Sequence, residues 1–174
     1  GKTIGVIGTG RIGKGVVQRA AGFNMNILAN DAYPDHAFLE RFGGQYVDLD
    51  RIYREADFIT IHAPLTDTTN NMINERVLSM MKPTAVLINA ARGGIVDEAA
   101  LYMALKEHRI YGAALDATEI EPACGSPLAL LDNCILTPHA GAATREASLK
   151  MGLLAAQNVI DVLRGKECRY IVNE

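Results

Sequence analysis

Gly8-Thr9-Gly10-Arg11-Ile12-Gly13 follows the apolar run Thr3–Ile7 and leads into Ile12, Val16 and Ala20, which recur at helical spacing. Glycines at these three positions have separate uses. Gly8 permits a tight turn, Gly10 lets a diphosphate approach the backbone, and Gly13 lets helix and strand pack closely. The helix start offers free N–H groups and a partial positive charge, which suits an anion. Asp31 stands 18 residues beyond Gly13, at the close of a second apolar run. A carboxylate there accepts hydrogen bonds from a ribose diol and repels a 2′-phosphate. The expected chemistry is dinucleotide binding, with NAD preferred to NADP.

These residues need elements that hold them. Strands are expected at Thr3–Ile7, Met25 to Ala29, near Tyr46-Val47, over Phe58–Ile61, from Ala85 to Ile88, and at Gly112–Leu115 and Cys134–Leu136. Between them, helical patterns follow Gly13 and cover Ala37 to Phe42, Leu49–Glu55 and Glu75–Met80. Another starts at Asp97, with Leu101, Ala104 and Leu105 facing the core. A long helix capped by Thr144 carries Leu149, Leu153, Ala156, Ile160 and Leu163 at steps of four and three and closes at Gly165. Short apolar strands alternating with helices imply parallel pairing through right-handed crossovers. The expected fold is α/β, a doubly wound Rossmann sheet of about seven parallel strands with helices on both faces. Ligands of such sheets bind beyond the strands' carboxyl ends.

Composition narrows the classes. The 174 residues carry 17 Lys+Arg against 20 Asp+Glu, a net charge of −3, with 49% apolar and 21% charged residues. That is globular composition, and without a basic cluster no nucleic-acid surface is expected. No apolar run reaches the roughly 18–20 residues of a membrane span, so no membrane partner is expected. Cys124, Cys134 and Cys168 are odd in number and lack CxxC spacing, so no metal site is expected and a reducing, cytoplasmic setting is. The chain opens at Gly1 within two residues of a strand, as a piece cut from a longer polypeptide would.

Five separate segments then carry a resemblance. Asn89-Ala-Ala-Arg-Gly-Gly-Ile-Val-Asp-Glu98 occurs with His62-Ala-Pro-Leu-Thr66, Gly112-Ala-Ala-Leu-Asp116, Glu119-Ile-Glu-Pro122 and Leu136-Thr-Pro-His-Ala-Gly141. Together they resemble the D-isomer-specific 2-hydroxyacid dehydrogenases, nearest the phosphoglycerate dehydrogenase-like branch. The resemblance implies hydride transfer between NAD and a D-2-hydroxy acid or its 2-keto acid. It divides the chain into an NAD-binding domain, 1–165, and the start of a return segment, 166–174, toward a substrate domain outside this sequence. A homodimer is also implied.

Residue by residue, the resemblance makes Arg92 the grip on substrate carboxylate and carbonyl, a task that suits the fixed fork of a guanidinium. His139 becomes the acid/base and Glu121 the group that orients its ring. Arg11 and Ile12 are placed at the diphosphate, while Ala63, Pro64 and Thr69 line the cofactor groove. Ala90, Ala91 and Arg92 stand near the nicotinamide. Asp116 faces its carboxamide, and His139, Gly141 and Ala142 close over it; His62 is a wall residue. One departure is Asp116-Ala-Thr118, small where relatives carry a bulkier side chain, which changes the pocket's shape. The alternative is an NAD-sensing binding module, a corepressor-like regulator of the same family without turnover. Tyr102 and Lys106 match the spacing of a short-chain dehydrogenase pair, but they share a helix with the core-facing Leu101 and Leu105 and are taken as coincidence.

Overall fold

A computed structural model describes residues 1–168, 170 and 171 of the chain. It forms two compact units, residues 1–138 and 139–174.

The first unit is built on seven parallel strands: β1 (Thr3–Ile7), β2 (Asn26–Asn30), β3 (Gln45–Tyr46), β4 (Phe58–Ile61), β5 (Val86–Asn89), β6 (Gly112–Leu115) and β7 (Cys134–Leu136). Their order is β3-β2-β1-β4-β5-β6-β7. The order reverses between β1 and β4, which makes the gap beyond their carboxyl ends the switch point where such sheets bind ligands. Pairing sets the ends of the strands in one row: Asn30, Ile7, Ile61, Asn89, Leu115 and Leu136 stand opposite one another across the sheet. The next residue of each strand is therefore at the ligand edge, and those residues are Asp31, Gly8, His62, Ala90, Asp116 and Thr137.

Helices α1 (Arg11–Gly22), α2 (His36–Glu40), α3 (Leu49–Glu55), α4 (Glu75–Met80) and α5 (Glu98–Lys106) connect these strands. Two apolar clusters form the core. One gathers Ile4, Val6, Val17, Ile27 and Leu39, and the other Ile52, Ile59, Leu78, Leu87, Leu101 and Leu105. Capping explains where most helices begin. Asp35, Asp48, Asn74 and Asp97 each accept the backbone N–H of the residue three positions on, a contact worth about 1 kcal/mol per helix. The start of α1 differs: Gly10 supplies no side-chain cap.

The sequence-based boundaries need small corrections. β2 and β5 each begin and end one residue later than expected, because their ends are set by pairing with Ile7 and Ile61. β3 lies one residue earlier, opposite Leu28 and Ala29. α2 runs from His36 to Glu40, starting where Asp35 caps it.

The second unit contains α6 (Arg145–Leu163), capped as expected by Thr144, whose hydroxyl accepts from Ala147 N at 3.1 Å. Gly165, at φ +68°, follows its end. Leu149, Leu153, Ile160 and Leu163, the apolar residues spaced at steps of four and three, are all exposed. Within the expected return segment 166–174, Arg169 and Val172, Asn173 and Glu174 lie outside the described residues.

Candidate cofactor and active site

The glycine turn is shaped by contacts that leave no space for side chains at two of its three positions. Gly8 has φ +91°, and a Cβ there would stand 2.6 Å from Ala63 N and from the His62 carbonyl carbon. On Gly13 a Cβ would meet the Gly8 carbonyl oxygen at 2.0 Å, which fixes the close seat of α1 on the turn. Gly10 is the opposite case, since a Cβ on it would meet nothing of the chain within 4 Å. Open space therefore faces Gly10 and the uncapped start of α1, whose partial positive charge favours an anion.

A cavity of about 610 Å³ begins at this turn and is lined by Gly8, Gly10, Asp31, Tyr33, His62, Ala63, Pro64 and Thr69, among others. A second, of about 500 Å³, is lined by Ile12, His62, Ala63, Pro64, Leu65, Ala90, Ala91 and Arg92. His62, Ala63 and Pro64 line both, so the two cavities adjoin along that segment, one reaching Asp31 and the other Arg92.

Asp31 closes one end. Its Oδ2 accepts Thr9 N at 2.5 Å and Thr9 Oγ1 at 3.0 Å, and its Oδ1 accepts Tyr33 N at 2.8 Å. Partial burial pulls this carboxyl upward. The amide bonds from Tyr33 and Thr9, the Thr9 hydroxyl and the Lys14 charge outweigh it and hold the group below the ordinary carboxylate value. Of roughly four lone-pair sites on a carboxylate, one on Oδ1 stays open to a hydroxyl donor.

Midway stands His62. Its Nε2 is 3.0 Å from Thr60 Oγ1, and its buried Nδ1 has no partner among the described residues. Burial pushes this imidazole below its ordinary value, so it is neutral at pH 7. Thr69 braces the loop beside it, donating to Pro64 O at 2.7 Å and accepting Thr66 N at 2.8 Å.

At the far end Arg92 is exposed and donates to Ala91 O at 2.8 Å. The residue that shapes its turn is Asn89, 1% exposed at the end of β5. Its Nδ2 donates to Arg92 O at 2.8 Å and to Ala117 O at 3.4 Å, and its Oδ1 accepts Ala91 N at 3.1 Å. Gly93 packs so closely that a Cβ would stand 2.0 Å from Thr118 O, which ties the Arg92 turn to the segment leading to Glu121. Glu121 is exposed, and its Oε1 accepts Thr118 N at 3.4 Å. Asp116 follows β6, donates its N–H to Asn89 O at 2.9 Å and accepts Thr137 Oγ1 at 2.5 Å.

The first unit thus gathers Gly8, Gly10, Ile12, Asp31, Ala63, Pro64, Thr69, Ala90, Ala91 and Arg92 along two adjoining cavities. Arg11 opens α1 as an exposed residue. His139, Gly141 and Ala142 are exposed in the second unit, where His139 holds a left-handed backbone at φ +52°, uncommon for any residue but glycine. Asn89, Thr9 and Tyr46 were not singled out from the sequence. For Asn89 a signal existed: an amide ending the otherwise apolar run Val86-Leu-Ile.

A parallel sheet in this order, with a glycine turn and a terminal carboxylate at its switch point, defines a dinucleotide-binding domain. The family described as D-isomer specific 2-hydroxyacid dehydrogenase, NAD binding domain, matches residues 1–141, and the chain belongs to that family. It is 48% identical over 174 residues to D-3-phosphoglycerate dehydrogenase of Methanocaldococcus jannaschii, covering 99% of this chain and 33% of that protein. To glyoxylate reductase of Pyrococcus furiosus it is 47% identical, covering 100% of this chain and 52% of the relative. Among solved structures, D-lactate dehydrogenase with NAD+ from Lactobacillus jensenii superposes with a TM-score of 0.90 at 34% identity, over 99% of this chain and 56% of that one. The chain spans a third to about half of these relatives' length. The cofactor of the domain is NAD, and the open space at Gly10, the uncapped helix start and the Asp31 acceptor fit it. Among the described residues no group of three or more His, Cys, Asp or Glu could hold a metal ion, and no helix is long and apolar enough to cross a membrane.

Proposed function

We propose that the whole protein is an NAD-dependent dehydrogenase acting on the CH–OH group of a D-2-hydroxy acid, or reducing the matching 2-keto acid, and that this chain is its cofactor half. The observation that carries the proposal is the pair of adjoining cavities that share His62, Ala63 and Pro64, one lined by Asp31 and the other by Arg92. A ribose-selecting carboxylate at one end and a guanidinium at the other suit a dinucleotide whose reactive ring lies beside a carboxylic acid.

When bound, the nicotinamide supplies or takes up the hydride. The chain's own residues do the rest. The Arg92 fork binds the substrate carboxylate and carbonyl oxygen and fixes their orientation, which a point charge does less well. In reduction, the His139 imidazolium gives its proton to the forming alkoxide; in oxidation the neutral ring takes it back. Glu121 accepts from the far ring nitrogen and sets the ring's orientation. Asp116, held by Thr137 and by Asn89, takes the nicotinamide carboxamide, and Gly141 and Ala142 close over that ring. Arg11 and Ile12 lie at the diphosphate. The division at residue 165, the return through residues 166–174 to a substrate domain, a homodimer and a cytoplasmic location complete the proposal.

Steady-state NADH oxidation by the whole protein with glyoxylate, pyruvate and larger 2-keto acids tests it. The expected result is consumption that requires the keto acid and falls at least ~10²-fold in His139→Gln, with NADH binding retained. Tight NADH binding without turnover on any 2-keto acid would instead favour an NAD-sensing regulator.

A further inference from the structure

Asp31 is held by more than its neighbours in sequence. Thr9 Oγ1, which donates to Asp31 Oδ2 at 3.0 Å, lies 2.7 Å from the Tyr46 hydroxyl, and that hydroxyl lies 3.0 Å from Asp35 N. The direction of every bond in this series follows from counting hydrogens. Asp35 N–H can only donate, so Tyr46 Oη accepts it. Asp31 is ionised and can only accept, so the single Thr9 hydroxyl hydrogen is committed to it. The one hydrogen left for the Thr9–Tyr46 contact belongs to tyrosine. Donors therefore run one way, from Asp35 N–H to Tyr46 O–H to Thr9 O–H to the Asp31 carboxylate, and each polarises the next.

Three elements fix the tyrosine at the middle of this relay. Its backbone pairs with Ala29 in the two-residue edge strand β3. The His36 ring packs edge-on against its ring at a centroid distance of 5.1 Å. Asp35 both caps α2 and pairs with Lys14 of α1, so the donor at the head of the relay is itself anchored. Thr9 is 4% exposed, and a misdirected hydroxyl there would have little water to turn to.

We propose that Tyr46 is a positioning residue for cofactor selection: through Thr9 it locks the Asp31 carboxylate in the orientation that accepts the ribose diol and turns away a 2′-phosphate. The inference rests on the proposed role of Asp31 at the ribose. An aspartate with only its local contacts can rotate to relieve repulsion by a phosphate. One whose Oδ2 is held by Thr9 N and by the relayed hydroxyl cannot do so without breaking both bonds.

The test is NADH and NADPH affinity of the whole protein, measured by fluorescence for Tyr46→Phe, Asp31→Ala and the double variant. Removing the hydroxyl breaks one link of the relay, so NADH should bind about 3- to 10-fold more weakly. NADPH should not weaken, and the NADH:NADPH preference should therefore fall by at least that factor. In the Asp31→Ala background, Tyr46→Phe should change NADH affinity less than about 2-fold, as coupling through that carboxylate requires. Thr9→Val, which keeps shape and loses the hydroxyl, should reproduce the single effect should Tyr46→Phe fold poorly. Equal weakening of both cofactors, or an undiminished effect of Tyr46→Phe when Asp31 is already alanine, overturns the relay. An Asp31→Ala variant with unchanged preference overturns the ribose assignment itself, and the relay with it.

Discussion

Gly13 lies so near Gly8 that a Cβ on the former would stand 2.0 Å from the latter's carbonyl oxygen, whereas a Cβ on Gly10, three residues earlier, would touch nothing in the chain. The glycines of one motif thus answer to different demands, one internal and one external.

Substitution should separate them. Gly13→Ala forces α1 off the turn and should cost about 1–3 kcal/mol of stability, the usual range for overpacking. Gly10→Ala should leave the melting temperature within about 2 °C yet weaken NADH at least ~10-fold, about 1.4 kcal/mol. Calorimetry with an NADH titration checks both. A destabilised Gly10→Ala protein would place the demand inside the fold.

Cofactor preference should be at least ~10-fold for NADH over NADPH, about 1.4 kcal/mol, and should narrow in Asp31→Ala. The same carboxylate sets a pH dependence. Because Asp31 is held below the ordinary value, it stays ionised through mild acid. The loss of NADH affinity in acid should therefore have its midpoint below about pH 4, the ordinary aspartate value. A loss of affinity centred at or above that value contradicts the hydrogen-bonded carboxylate.

Arg92→Lys keeps the charge and loses the fork. In the whole protein, kcat/KM for a 2-keto acid should drop more than ~10-fold, with NADH affinity changed less than ~2-fold. Parallel losses in both would mark Arg92 as a cofactor ligand or a structural residue.

Away from the groove, Asp57 accepts Thr3 N at 2.8 Å and pairs with Lys82 and Lys2 at 3.3 and 3.4 Å, joining the starts of β1 and β4. The Thr3 amide first, against a smaller desolvation effect, and then the lysines hold its carboxyl below the ordinary value. A lowered folded-state value means stability that is present above the unfolded value, near pH 4, and lost as pH falls through the folded one. Asp57→Asn keeps an acceptor for Thr3 N–H but removes the charge that strengthens that bond, so it should cost about 1 kcal/mol at pH 7, the partly exposed lysine pairs adding little. Near pH 2, below the unfolded value, the cost should be smaller than at pH 7. Urea unfolding at both values decides it, and an equal cost at both would show that charge plays no part.

Much of this architecture is legible in the residues. The apolar runs ending at Ile7 and Ile61 are cut by Gly8 and by His62-Ala63-Pro64, and the caps Asp97 and Thr144 announce their helices. The one-residue shifts at β2 and β5 were not, because strand ends depend on which partner lies opposite. Contacts between distant segments were hidden for the same reason. Thr9 and Tyr46 are 37 residues apart, and no local pattern ties a turn hydroxyl to a phenol on a two-residue strand. The spacing of apolar residues in α6 marks a helix but says nothing of what faces it, and Leu149, Leu153, Ile160 and Leu163 are exposed. Arg92 was visible as a cation after a buried strand, and Asn89 as an amide closing an apolar run, but that Asn89 shapes the Arg92 turn emerges only from its three hydrogen bonds.

The cavities lined by Asp31 and Arg92 are proposed to serve hydride transfer to a 2-keto acid. The most direct measurement is the configuration of the product when the whole protein reduces pyruvate, or the 2-keto acid it turns over fastest that yields a chiral product, with NADH. The expected product is the D-2-hydroxy acid, formed with one NADH consumed per molecule and suppressed in Arg92→Lys. The L-isomer, or NADH bound tightly with no hydroxy acid formed from any 2-keto acid, would contradict it.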